Sequence, residues 1–170
     1  MTGVLTMMGP DQLGRLVDDH AAALVLYARQ WCSAPEDVVQ EAFIKLAAHN
    51  PAEPVPWLYK VVRNAALSAA RSERRRQRHE HEAATRASVW FVPAEGERLD
   101  EESATAALQS LPEEQREIII AHLWGGLTFE QISGLTGTSS SSAHRCYLAG
   151  LSALRERLGV PCPKTSATRK

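Results

Sequence analysis

The sequence has few cysteines, no apolar run long enough to span a bilayer, and no excess of charge of either sign. Its three cysteines, Cys32, Cys146 and Cys162, form no CxxC or Cys/His spacing, which argues against a disulfide framework or a structural zinc site. With 19 basic and 20 acidic residues the net charge is −1, which excludes a uniformly basic nucleic-acid-binding chain. The lack of a membrane-spanning run and of a signal-peptide h-region predicts a cytoplasmic protein without membrane insertion.

Patterns typical of enzymes and metal sites are also scarce. There is no Gly-rich phosphate loop and no GxSxG nucleophile motif. His79 and His81 lie two residues apart, a spacing that does not place two ligands on one face of a helix. The sequence therefore predicts a protein that is not an enzyme, with no cofactor and no catalytic or metal-binding residue.

Apolar residues recur at three- and four-residue spacing through most of the chain, whereas strand-like alternation is nearly absent. This pattern predicts an all-α fold. Helices are expected from Pro10 to Trp31, from Pro35 through Leu46, and from Trp57 to Arg78. The segment 49–56 holds three prolines and is expected to be a loop.

The C-terminal part carries the pattern of a helix-turn-helix. Pro112 separates two predicted helices, and Gly125-Gly126 is a natural end for the second. Thr128 with Gln131 predicts a capping box at the start of a short helix, and a glycine-containing turn then leads into a long helix over about 140–158. The leucines expected to face the core from that last helix are Leu148, Leu151, Leu154 and Leu158.

These elements predict two small helical domains joined by a flexible linker. The first domain takes residues 1–79 and the second takes residues 106–160. Between them, residues 80–105 are acidic, rich in small residues and weakly periodic. Residues 161–170 form a tail.

One side of the third predicted helix combines an aromatic ring, an amide, a hydroxyl and cations on Trp57, Lys60, Asn64, Ser68 and Arg71. Aromatic rings stack on unpaired bases and cations contact phosphates, so this set suits single-stranded DNA. A core position for Trp57 beside a solvated basic face is an equally open alternative.

The start of the last helix is a second candidate surface. In a helix-turn-helix, side chains near the N-terminus of the second helix contact base edges in the major groove. Ser141, Ser142, His144 and Arg145 occupy that position here. The alternative is a plain helical bundle that does not bind DNA.

Several segments resemble one protein family, in the family's order. Segment 35–46 (PEDVVQEAFIKL) and segment 57–67 (WLYKVVRNAAL), which continues into an arginine cluster, resemble region 2 of bacterial extracytoplasmic-function sigma factors. Segments 111–117 (LPEEQRE), 126–132 (GLTFEQI) and 154–158 (LRERL) resemble region 4 of the same family.

The resemblance implies a promoter-specificity subunit that binds core RNA polymerase and promoter DNA. The helix over residues 37–46 would bind the clamp helices of the largest core subunit, and region 4 would bind the flap. An anti-sigma factor is the implied inhibitory partner. The implied polymerase-binding residues are Asp37, Val38, Gln40, Glu41 and Phe43.

Segment 49–56 corresponds to the family's specificity loop, which receives a base flipped from the minus-ten element. Asn64 is the strongest candidate for a base-edge contact, because an amide both donates and accepts hydrogen bonds. The arginines between residues 71 and 78 would contact phosphates. The implied minus-ten residues are His49, Asn50, Trp57, Lys60, Arg63, Asn64, Arg71, Arg74 and Arg75. The implied minus-thirty-five residues are Ser141, Ser142, His144 and Arg145.

The predicted recognition helix departs from the family, whose members carry several Arg or Lys residues in its first turns. Here only His144 and Arg145 are basic. We therefore expect weak or unusual minus-thirty-five recognition, with a salt slope lowered by roughly one unit per missing cation. Two alternatives stay open. One is a duplex-binding helix-turn-helix regulator, against which the region 2-like segments argue, and the other is a sigma-derived interaction protein that no longer initiates transcription.

Overall fold

The computed structural model describes residues 8–79 and 98–159, which form seven α-helices, one π-helical turn and no strand. The elements are α1 (Pro10–Ala28), α2 (Pro35–His49), α3 (Pro54–His79), α4 (Arg98–Gln109), α5 (Glu113–Ile119), a π turn (Ile120–Trp124), α6 (Phe129–Thr136) and α7 (Ser140–Arg157). The predicted all-α fold class is confirmed. Most of the predicted linker, the predicted tail and Cys162 lie outside the described residues.

Proline begins each of the first three helices, where the missing N–H is harmless because first-turn amides have no partner within the helix. For this reason Pro54 and Pro56 belong to the first turn of α3 and not to the predicted loop 49–56. The connection shortens to residues 50–53. It starts at Asn50, which ends α2 in the left-handed conformation with φ 41°.

Helices α1, α2 and α3 pack around a core of fully buried side chains, each of which contributes about 1.5–3 kcal/mol of transfer free energy. The largest of them are Leu24, Tyr27, Leu46, Leu58, Tyr59 and Val62. One expectation for α1 is wrong, because the helix ends at Ala28 and not at Trp31.

The second domain begins within the predicted linker, because α4 starts at Arg98. The predicted capping box of α6 is confirmed. Thr128 Oγ1 accepts from Gln131 N at 3.2 Å, and Thr128 N donates to Gln131 Oε1 at 3.0 Å. Gly137 then ends α6 with φ 79°, a conformation that glycine adopts without steric cost.

The rotation of α7 about its axis differs from the prediction. Leu148 is 50% exposed and Leu158 is 40% exposed, so their expected core positions are wrong. Two small residues of the helix, Ala143 and Gly150, are buried instead. A helix carrying small residues seven positions apart approaches its neighbour closely along that face, and α7 packs on α5 in this way.

The two domains also contact each other. Helix α1 packs on the π turn, and α3 packs on α6. This arrangement brings side chains from both domains next to the predicted nucleic-acid surface.

Candidate nucleic-acid interface

The outward side of α3 carries the predicted set of polar side chains. Lys60, Asn64, Ser68 and Arg71 lie on it and are all exposed, whereas Trp57 is half-buried. The Trp57 ring lies 5.6 Å from the ring of His49, at the end of α2. The expected juxtaposition of an aromatic ring, an amide, a hydroxyl and cations is therefore present on one helix face.

The turn between α2 and α3 forms one wall of a cleft of about 420 Å³. Two minus-ten candidates, Trp57 and Lys60, line this cleft. Its opposite wall comes from α6 of the second domain. The remaining lining residues are Pro51, Ala52, Glu53, Pro56, Gln131, Gly134 and Leu135. Asn50 is exposed beside the turn.

Arg63, another minus-ten candidate, is bonded to the second domain. Its Nε donates to Glu117 Oε1 at 2.6 Å, and its side chain is 24% exposed. The hydrogen bond from Arg63 to Glu117 raises the pKa of the guanidinium above its usual value. The arginine is thus held as a fixed cation at the boundary between the two domains.

The second half of α3 ends in a basic segment. Arg71, Arg74 and Arg75 are exposed. Arg71 Nε bonds back to Leu67 O at 3.2 Å, and Arg75 Nη2 bonds to Ser72 Oγ at 3.3 Å. These local bonds leave the guanidinium groups on the helix surface, where cations can contact phosphates.

The start of α7 presents the predicted minus-thirty-five residues. Ser139 caps the helix by accepting from Ser142 N at 3.2 Å. Ser141, His144 and Arg145 are exposed and Ser142 is half-buried. The Arg145 guanidinium bonds to Ser142 Oγ at 3.2 Å.

The predicted polymerase-binding helix, α2, presents a charged surface. Asp37, Gln40 and Glu41 are exposed, and Glu41 pairs with Lys45 at 2.8 Å. Val38 is half-buried and packs against the core. Phe43 is only 7% exposed and belongs to the core, so it supports the helix from within. Ile44, which the sequence reasoning left out, is 65% exposed beside them.

Among the residues that the structure describes, no group of His, Cys, Asp and Glu side chains is arranged to hold a metal ion. No helix within 8–79 or 98–159 combines the length and apolar character needed to cross a membrane.

Family models match both halves of the chain. Residues 16–76 match the model for Sigma-70 region 2, and residues 101–154 match the model for Sigma-70 region 4. The chain belongs to the extracytoplasmic-function sigma factor family. The first domain of this sigma factor therefore contains region 2 and the second contains region 4.

Curated relatives support this assignment. The sigma factor is 30% identical over 160 residues to "Probable RNA polymerase sigma factor RfaY" of Xanthomonas campestris pv. campestris, covering 85% of this chain and 40% of RfaY. It thus spans less than half the length of that relative. It is 29% identical over 129 residues to RNA polymerase sigma factor CarQ of Myxococcus xanthus, covering 73% of this chain and 74% of CarQ.

A solved structure has a similar fold over both domains. It is the sigma factor RpoE in complex with the anti-sigma factor NepR from Bartonella quintana, which superposes with a TM-score of 0.71 at 25% identity. The match covers 91% of this chain and all of RpoE. The overall arrangement of the two domains is therefore similar to that of RpoE in this complex.

Sequence reasoning missed the residues that join the two regions of this sigma factor. Tyr27 donates a hydrogen bond to Glu117. The Tyr59 ring lies so close to Gly125 that a Cβ atom on Gly125 would stand 2.6 Å from it. Burial raises the pKa of Tyr27 and of Tyr59 above the usual range, and the charge of Glu117 adds to the effect on Tyr27. The only signal available in the sequence was the absence of a side chain at Gly125.

Proposed function

We propose that this sigma factor binds core RNA polymerase and directs it to promoters through a minus-ten and a minus-thirty-five element. The observation that carries the proposal is the match to regions 2 and 4 in family order on one chain. Members of this family serve as specificity subunits of RNA polymerase, so in this proposal the chain acts without a catalytic site of its own.

For the minus-ten element we assign the exposed face of α3 and the adjacent cleft. Asn64 is exposed and can donate to and accept from one base edge. Trp57 offers a partly exposed ring for stacking at the mouth of the cleft. Lys60 and the arginines of α3 supply phosphate contacts that raise affinity and make it salt-dependent.

For the minus-thirty-five element we assign the first turns of α7. Arg145 and His144 are exposed there together with Ser141. An arginine at this position suits a guanine edge, which offers two acceptors in the major groove. With so few cations, the contribution of region 4 to promoter affinity is expected to be smaller than that of region 2.

For core polymerase we assign the exposed surface of α2. Asp37, Gln40 and Glu41 provide charge and hydrogen bonds, and Ile44 adds an exposed apolar contact. An exposed apolar residue within a polar surface is typical of a protein interface. Region 4 is the proposed partner of the flap.

An anti-sigma factor is the proposed regulatory partner. A solved sigma factor with a similar fold, RpoE, is in complex with the anti-sigma factor NepR. The similarity to RpoE extends over both domains of the present chain. A partner contacting both domains would fix their arrangement.

The deciding experiment is transcription start mapping on fragmented genomic DNA, with core RNA polymerase of the source organism and with or without this chain. New starts that share upstream sequences at both elements would support the proposal. A second sigma factor, active on the same core preparation, is the control. If only the control produces starts, the chain is an interaction protein or a duplex-binding regulator.

The assignment of the two elements has a sharper test once a promoter is known. Asn64→Ala is expected to abolish open-complex formation, whereas Arg145→Ala reduces it by less. Ser152→Ala, on an exposed position late in α7, is the matched control. Equal losses for Asn64→Ala and Arg145→Ala would contradict the weak minus-thirty-five contribution.

A further inference from the structure

A buried carboxylate of the second domain bonds to two side chains of the first. Glu117 on α5 has a side chain that is only 6% exposed. Its Oε1 accepts from Tyr27 Oη on α1 and from Arg63 Nε on α3, each at 2.6 Å. Arg63 Nη2 lies 3.5 Å from Glu117 Oε2. Tyr27, Arg63 and Glu117 together form the Glu117 cluster.

Further specific bonds surround the Glu117 cluster where the domains meet. Trp31 Nε1 donates to Glu113 Oε1 at 2.7 Å, and Arg116 Nε donates to Gln30 Oε1 at 3.2 Å. The Arg63 guanidinium lies 5.9 Å from the centroid of the Trp31 ring. Directional bonds on several pairs select one arrangement of the two domains, whereas apolar contact alone would permit many.

The same domain contact occupies part of the proposed minus-ten surface. Arg63 is committed to Glu117, and across the cleft Trp57 and Lys60 face Gly134 and Leu135 of α6. A carboxylate offers arginine the negative charge and the acceptor oxygens that a DNA phosphate would also offer. The Arg63 Nε cannot bond to both at once.

We propose that Glu117 is an internal competitor of promoter DNA, which holds Arg63 and closes region 4 over the part of the minus-ten surface that contains Arg63 and the cleft. The proposal rests on the function proposed above. DNA binding to region 2 then requires the Glu117 cluster to separate. The free chain is self-inhibited to the extent that this cluster stays closed.

Closure lowers the apparent affinity for DNA by the fraction of molecules that are open. Removal of the Glu117 charge leaves the partly buried Arg63 without its counter-ion in the closed form, and breaking such a pair is strongly unfavourable. The charge-neutral variant should therefore favour the open form. An open fraction raised tenfold gives a tenfold lower apparent Kd.

The test uses the full chain without polymerase and a random-sequence single-stranded DNA 20-mer as probe, at low salt. Fluorescence anisotropy gives the apparent Kd, and small-angle X-ray scattering gives the radius of gyration. The variant is Glu117→Gln. The control is Glu114→Gln, which removes the same charge from an exposed position of the same helix.

We expect Glu117→Gln to increase the radius of gyration and to tighten DNA binding about tenfold. Glu114→Gln should leave the radius of gyration unchanged and shift the apparent Kd for DNA by no more than about twofold, because the high dielectric constant of water weakens the effect of a single exposed charge. Equal tightening in both variants would reduce the effect to net charge and overturn the proposal. Expansion of Glu117→Gln without tighter DNA binding would overturn it as well, because Arg63 would then not be the contested group.

Tyr27→Phe provides a second variant in case Glu117→Gln does not fold. It keeps the ring in the core and removes one of the two bonds to Glu117 Oε1. A smaller increase in DNA affinity, about threefold, is expected. A folded Tyr27→Phe protein with unchanged affinity and unchanged radius of gyration would contradict the proposal.

The two proposals fail in different ways. If start mapping finds no promoters but Glu117→Gln opens the chain and tightens DNA binding, self-inhibition stands and the sigma function fails. If start mapping succeeds and Glu117→Gln behaves like Glu114→Gln, only self-inhibition fails.

Discussion

Gly150 of α7 lies against Ile119 of α5 so closely that a Cβ atom on Gly150 would stand 2.6 Å from Ile119 Cδ1. The Cβ atom added to Gly150 would also stand 3.2 Å from Gln115 Cβ. Ile119 is fully buried, so its side chain has little room to move aside. The absence of a side chain at residue 150 thus fixes how close the recognition helix comes to α5.

Gly150→Ala is expected to destabilise the protein by about 1–3 kcal/mol, the usual range for overpacking, despite the better helix propensity of alanine. Ile119→Val removes the clashing Cδ1 and on its own costs about 0.5–1.5 kcal/mol. The double variant should lose less than the sum of the two. Urea unfolding of all four proteins measures this coupling, and strict additivity would contradict the proposed contact.

Two glycines, one within α6 and one at its end, should respond to alanine in opposite directions. Gly137 has φ 79°, so Gly137→Ala is expected to cost about 1–2 kcal/mol. Gly134 lies within the helix, and a Cβ atom added to it would meet no other atom within 4 Å. Gly134→Ala should therefore stabilise by about 0.5–1 kcal/mol. Thermal unfolding of the two variants decides the point. Stabilisation by both would show that the turn is not held in the left-handed conformation.

Local signals in the sequence were enough to predict where several helices begin. The prolines that begin α1 and α2, and the capping box of Thr128 and Gln131, act through backbone groups within one turn. The exposed set on α3, including Lys60 and Asn64, followed equally from helical periodicity. Such features depend on neighbours in sequence, and a pattern can therefore show them.

Contacts between the domains could not be predicted in the same way. Glu117 lies in an acidic stretch and has the pattern of a surface residue, yet its partner Tyr27 is 90 residues away in sequence. The orientation of α7 was missed for a related reason. Leucines such as Leu148 suggest that their side of the helix faces the core, because they are hydrophobic. The close packing of Gly150 on α5 determines instead which side of α7 is buried.

Two buried tyrosines of the first domain are expected to differ when their hydroxyl groups are removed. Tyr27 Oη donates to the Glu117 carboxylate, so Tyr27→Phe should cost about 1.5–3 kcal/mol. Tyr59 Oη is buried and has no hydrogen-bond partner among the described residues, so Tyr59→Phe should be neutral or stabilising. Chemical denaturation compares the free energies of unfolding. A loss at Tyr59 as large as that at Tyr27 would reveal a partner for its hydroxyl.

The same tyrosines predict loss of stability at alkaline pH. Burial raises the pKa of Tyr27, with the Glu117 charge as a further cause, and burial also raises the pKa of Tyr59. The folded state therefore keeps protons that the unfolded chain releases near pH 10, so this contribution is complete below about pH 10 and is lost as the pH rises above it. Each tyrosine that stays protonated adds a slope of about 1.4 kcal/mol per pH unit in that range.

This slope is obtained from urea unfolding at a series of pH values between about 8 and 11, a range that brackets the ordinary tyrosine pKa. Tyr27→Phe and Tyr59→Phe should each reduce the slope by up to about 1.4 kcal/mol per pH unit, the contribution of one proton. The double variant should reduce the slope by up to twice that amount. The comparison holds whatever each substitution does to stability at neutral pH, because it concerns the slope alone. Unchanged slopes in all three variants would mean that neither tyrosine is kept protonated by its burial, and that the fall in stability comes from other groups.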